Sequence, residues 1–140
     1  MKRATGFLVF FLSVAIVDCA GDGSALQQMT TGRGIEPTLS SIQSDVFGAI
    51  CIECHIPAGP GPMPLDSEDV SFQNLVNVQS VEDPSLLRVA PGNSEGSYVV
   101  HKIQGRATIL GERMPPPPRP MLTPEQIEAI VQWIDAGAQR

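Results

Sequence analysis

The pentapeptide Cys51-Ile52-Glu53-Cys54-His55 constrains this chain more than any other feature. Residues three and four apart share one face of a helical turn. Cys51, Cys54 and His55 can therefore present two sulfurs and an imidazole in one direction. Zinc would need four ligands. No cysteine follows Cys54, however, and the only other histidine is His101. A dithiol redox pair would be expected beside a βαβ pattern, and the sequence contains none.

The remaining reading is the C-x-x-C-H signature of covalent c-type haem attachment. The thiols of Cys51 and Cys54 would reach two vinyl groups on one edge of the macrocycle, and His55 would ligate the iron. The other nitrogen of a ligating imidazole normally donates to a backbone carbonyl. Pro57 can end the turn and leave such a carbonyl free nearby.

The N-terminus fits the compartment in which such chemistry occurs. Lys2 and Arg3 precede an apolar run from Phe7 to Val17. That is the pattern of a signal peptide, too short to span as a transmembrane helix. Residues 1–19 are assigned to the signal, and export places the chain in the periplasm. Cys19, followed by Ala20-Gly21-Asp22-Gly23-Ser24, resembles the lipidated first residue of a bacterial lipoprotein. Asp18 stands where a small residue is expected, and ordinary cleavage near Cys19 or Ala20 is the alternative. Residues 20–35, rich in Gly, Ser, Gln and Thr, read as a flexible tether, tied to a membrane if Cys19 carries lipid. Residues 36–140 form one small domain.

The whole chain holds 15 acidic and 9 basic residues. Removing residues 1–19 takes away Asp18, Lys2 and Arg3, leaving 14 against 7, a net charge of −7. An acidic surface of this kind disfavours nucleic acid and suits a basic protein partner or simply solubility.

The domain reads as short helices joined by loops. Pro37 to Ile50 has Thr38 or Ser40 as a cap and places Ile42, Val46, Phe47 and Ile50 at helical spacing. Ile56 to Pro64 carries too much Pro and Gly for helix or strand, and Met63 within it reads as packing. Ser67 caps a short helix with Glu68 and Asp69 in its first turn. Val76 to Pro91 reads as irregular, with Leu86, Leu87 and Val89 buried. Asn93 or Ser94 caps a helix showing Tyr98, Val99 and Ile103 and ending near Gly105. His101 on that helix reads as a surface or haem-edge histidine. Thr123, Pro124 and Gln126 open the last helix as cap, first residue and capping box. Its apolar stripe is Ile127, Ile130, Val131, Trp133, Ile134 and Ala138. Trp133 is expected to pack on the first helix or the haem edge.

Between these helices lies Gly111-Glu-Arg-Met-Pro-Pro-Pro-Pro118. Four consecutive prolines are expected to hold an extended polyproline strap, which would fix Met114 just before it. A thioether is a soft haem ligand, and Met/His ligation raises the reduction potential. Met114 is therefore the expected sixth ligand, with Met121 as the next candidate. Arg106 and Arg113 are expected either near the haem propionates or on the solvated surface.

Five segments together resemble the class I monohaem cytochrome c domain of exported bacterial proteins. They are Cys51–His55, Arg88-Val-Ala-Pro-Gly92, Ser97-Tyr-Val-Val-His-Lys102, Gly111-Glu-Arg-Met-Pro-Pro116 and Trp133-Ile-Asp-Ala-Gly-Ala138. The resemblance covers about residues 38–138. It implies an all-α fold wrapped around one covalent haem c, with first and last helices crossing beside it. It also implies Cys51 and Cys54 as attachment points, His55 and Met114 as axial ligands, and single-electron transfer to redox partners rather than enzymatic catalysis. The competing functional reading is a haem enzyme or gas sensor whose sixth site is open. A third is an interaction module displayed on a membrane, in which haem serves only to fill a thin core.

Overall fold

The computed structural model describes residues 34–61 and 63–140. The expected signal peptide, Cys19 and all of the tether before Gly34 lie outside the described residues. Four α-helices carry the fold: α1 (Leu39–Ile42), α2 (Glu68–Leu75), α3 (Tyr98–Gln104) and α4 (Pro124–Asp135). None of them is long and apolar enough to cross a membrane. There is no strand among the described residues, only isolated bridges at Val76–Val89, Gln79–Leu87 and Leu87–Ser97. The all-helical expectation holds.

α1 departs from the expected single helix over 37–50. Thr38 caps it, accepting from the Ser41 N–H. After Ile42 the helix widens into a π turn, Gln43–Phe47, closed by the Gly48 N–H on the Gln43 carbonyl at 2.7 Å. Gln43 also reaches well beyond the turn. Its Nε2 donates to the Leu65 carbonyl at 3.0 Å, and its Oε1 accepts from the Ser71 hydroxyl at 2.7 Å. Such single-turn widenings occur often beside functional sites. A 3₁₀ turn, Cys51–Glu53, follows at once.

α2 begins where Ser67 accepts from the Val70 N–H. The stretch from Val76 to Pro91 folds back on itself without forming a ladder. Asn77 donates to the Val89 carbonyl, Ser80 to the Leu86 carbonyl and Arg88 to the Val78 carbonyl. The same stretch supplies the Leu87 carbonyl to Tyr98 N–H, which seats α3. α3 starts later than expected, after Ser97, and no side chain caps it. Asn93 accepts instead from the Gly96 N–H, and Ser94 donates twice to the Asp135 carboxylate at the end of α4. Gly105, at φ 65°, ends α3 in the left-handed conformation that glycine adopts without steric cost.

α4 has the expected capping box of Thr123 and Gln126 with Pro124 in the first turn. Its inner face buries Ala129, Ile130, Trp133 and Ile134. α4 packs on both α1 and α3. Leu39, Ile42 and Val46 of the first segment join Ile130, Trp133 and Ile134 in one buried cluster. The Trp133 indole N–H donates to the Gln139 carbonyl at 2.7 Å.

The proline strap is not one extended polyproline segment. The Met114–Pro115 and Pro117–Pro118 bonds are cis, and Arg119 N–H closes a turn onto the Pro116 carbonyl at 3.1 Å.

Candidate functional site

The Cys51–His55 segment forms one helical turn. The His55 N–H bonds the Cys51 carbonyl at 2.9 Å and the Cys54 N–H bonds it at 3.1 Å. This is the geometry that brings two cysteines and the following histidine to one side. All three line a cleft of about 430 Å³, which falls among the sizes of small-molecule and cofactor pockets, about 300–1,000 Å³. Met114 lines the same cleft from the second half of the domain. The four residues singled out from the sequence are thus brought together.

Most of the remaining wall is apolar. Val46, Phe47 and Ile50 come from the first segment, Leu65 and Leu75 from the α2 region, Ile103 and Ile130 from α3 and α4, and Leu122 from the loop before α4. Val81 lines the cleft while 80 % exposed, so it stands at the rim.

The histidine is fixed from behind. His55 Nδ1 lies 2.9 Å from the Met63 carbonyl. A carbonyl only accepts, so Nδ1 carries a proton, which leaves Nε2 as the ring atom free to offer a lone pair to a ligand. The partner carbonyl belongs to Met63 rather than to the neighbourhood of Pro57. Met63 was expected only to pack; its side chain does line the cleft, and its backbone does the orienting. Gly61 passes so close that a Cβ there would sit 2.6 Å from Nδ1. The Leu65 N–H returns to the His55 carbonyl at 2.7 Å, closing the loop over the ring.

Burial, reinforced by neighbouring Cys54, pushes the Cys51 thiol up to about 12. Among the described residues no group of three or more His, Cys, Asp or Glu side chains gathers closely enough to hold a metal ion. The cleft wall holds the thiols of Cys51 and Cys54, the His55 imidazole and the thioether residues Met114 and Met63, all of them types able to bond a prosthetic group.

One part of the wall is polar. Lys102, only 8 % exposed, donates to Glu82 Oε2 and to the Leu110 carbonyl, both at 2.8 Å. The Tyr98 hydroxyl donates to the same Glu82 oxygen at 2.8 Å and accepts from the Leu110 N–H at 3.0 Å. Burial acts to raise the Glu82 carboxyl, but the hydrogen bonds from Lys102 and Tyr98 and the lysine charge outweigh it and hold it below its usual range. Burial pushes the Tyr98 phenol upward. Tyr98 and Lys102 are four apart on α3, so their shared face was legible; their partner Glu82 was not.

Neither Arg106 nor Arg113 lines the cleft. Arg106 forms a bidentate pair with Glu95, both bonds at 2.8 Å, and Arg113 donates to backbone carbonyls. The cationic residues of the cleft wall are Arg88, Lys102 and Arg119. Arg119 also meets Glu53 at 2.8 Å, and that hydrogen bond raises its guanidinium further. His101 Nε2 donates to the Glu95 carbonyl at 2.8 Å and is not in the wall, as a surface histidine should be. Met121 is 48 % exposed and also lies outside the wall.

Comparison with protein-family models, curated proteins and solved structures finds no match to this chain.

Proposed function

We propose that this chain is an exported monohaem c-type cytochrome that carries single electrons between redox partners in the periplasm or at a membrane, and that it is not an enzyme. The observation that carries the reading is the meeting of Cys51, Cys54, His55 and Met114 in the wall of one largely apolar cleft. The donor set suits a haem. Two thiols on one helical turn match covalent attachment along one edge, and an imidazole offers Nε2. The Met114 thioether would supply a second, soft donor.

Bound there, haem would supply reversible exchange of one electron at iron. The chain's own residues hold and tune it. Cys51 and Cys54 tether the group, and His55, oriented by the Met63 carbonyl, ligates from a fixed ring plane. Met114, which lines the same cleft, would offer the iron a soft thioether donor that favours the reduced state. Val46, Phe47, Leu75 and Ile130 exclude water from the macrocycle. In this reading the side chains make and break no substrate bond, and the partners would be other redox proteins that approach the open rim of the cleft beside Val81. Attachment to a membrane through lipid on Cys19 belongs to the same proposal.

The test is a haem-stained gel of the exported protein, followed by its absorption spectrum. One covalent haem is expected, with the weak long-wavelength band of sulfur–iron ligation in the oxidised form and slow carbon monoxide binding in the reduced form. Met114→Ala should lose that band and lower the potential. A wild-type protein that lacks the band and binds carbon monoxide rapidly would instead be a haem enzyme or gas sensor with an open site. A colourless protein with two reactive thiols would end the proposal altogether.

A further inference from the structure

Arg113 does not line the cleft; it grips the loop that carries Met114. Its half-buried guanidinium donates from Nη1 to the Pro115 carbonyl and from Nη2 to the Arg119 carbonyl, the latter at 2.8 Å. Both acceptors belong to the backbone just after Met114, so one rigid fork sets the shape of the whole loop. The arginine stem is seated as well. A Cβ on Gly105 would lie 3.3 Å from Arg113 Cβ, so the bare end of α3 gives the stem its place. Two further ties flank the fork. Met114 N–H donates to the Lys102 carbonyl at 2.9 Å, and Arg119 pairs with Glu53 inside the Cys51–Cys54 turn. That ion pair is exposed on both sides and holds little by itself. The fork of Arg113 is the tie with charged donors and shielded acceptors.

We propose that Arg113 is a positioning residue that holds the Met114 thioether in the cleft, rather than a partner for the carboxylates of a bound cofactor. The proposal rests on the reading of Met114 as an iron ligand.

Arg113→Ala, Arg113→Lys and, as a control, Arg106→Ala would be compared with wild type in the full exported protein. Two readouts are taken: the long-wavelength band with carbon monoxide binding, and oxidation of Met114 by dilute peroxide, followed by peptide mass spectrometry. Met121, 48 % exposed, serves as the internal reference for oxidation. Wild type and Arg106→Ala should show the band and a Met114 that oxidises much more slowly than Met121. Arg113→Ala should weaken or abolish the band and speed Met114 oxidation by about tenfold or more, the effect of losing a charge-assisted hydrogen bond. Arg113→Lys, which keeps charge and stem without the planar fork, should change in the same direction. If Arg113→Ala keeps both the band and the protection of Met114, the proposal is overturned, even if the variant melts at lower temperature. Should Arg113→Ala not accumulate, Arg113→Lys decides: a wild-type band and oxidation rate overturn the proposal, and a weakened band with faster oxidation supports it. A wild-type protein without the band removes the Met114 reading itself, and the positioning role with it.

Discussion

Gly61 leaves no room for a side chain beside the His55 ring. An added Cβ would meet Nδ1 at 2.6 Å, Cε1 at 2.8 Å and Cγ at 3.0 Å. The ring cannot swing clear without giving up the Met63 carbonyl. Gly61→Ala is therefore expected to displace the imidazole, with about 1–3 kcal/mol of destabilisation from overpacking. Haem staining should survive, since thioether bonds do not depend on the ring, while the visible spectrum and reduction potential shift. A variant matching wild type in both would show that the ring tolerates the contact. At this scale the cleft-lining Cys51, Cys54, His55 and Met114 are legible, because C-x-x-C-H and Met-Pro single them out by type and spacing. The residues that orient them are not. Gly61 and Met63 lie in a Pro/Gly-rich run whose sequence indicates a loop but not which carbonyl or which bare Cα passes the ring.

Helix ends that depend on neighbouring residues were readable, and those that depend on distant partners were not. Thr123, Ser67 and Gly105 act within a few residues of themselves, and each stands where its local chemistry places it. The π turn of the first segment is different: the partners of Gln43 lie 22 and 28 residues further on. The sequence likewise offers Asn93 or Ser94 as the cap of α3, but Ser94 is drawn to Asp135, 41 residues away. The segment from Val76 to Pro91 is held to α3 by the Glu82 carboxylate on Lys102 and Tyr98, and this tie should respond to pH. The folded protein holds Glu82 below the ordinary value of 4.5, so its contribution is fully present above that value and fades as pH falls through the folded one. Glu82→Gln should therefore be less stable than wild type near neutrality, with the gap narrowing in acid. Urea unfolding of both proteins at about pH 7 and about pH 3.5 measures it. An equal gap at both would mean that the charge of Glu82 plays no part.

The domain is built around a space that its own side chains do not fill. Protein interiors pack about as densely as organic crystals. At about 24 cal/mol per Å³, a dry void of about 430 Å³ would cost on the order of 10 kcal/mol. That is the whole stability of a typical domain, about 5–15 kcal/mol. The figure is an upper bound, because the cleft reaches solvent beside Val81 and water can enter its mouth. Water does not satisfy an apolar wall, however, and Val46, Leu75 and Ile130 belong to both the cleft and the main core cluster. Under the proposed function the filler is haem, tethered through Cys51 and Cys54. Cys51→Ala combined with Cys54→Ala should then leave a chain without covalent haem that is largely unfolded. Its helical circular dichroism should be weak and its thermal transition broad or absent. A single substitution, Cys51→Ala or Cys54→Ala, keeps one thioether and should retain part of the fold with a lower melting temperature. A double variant that stays helical and melts cooperatively would mean that α1, α3 and α4 close on one another without the cofactor. The cleft would then be a binding site on a self-sufficient fold rather than the centre on which the fold depends.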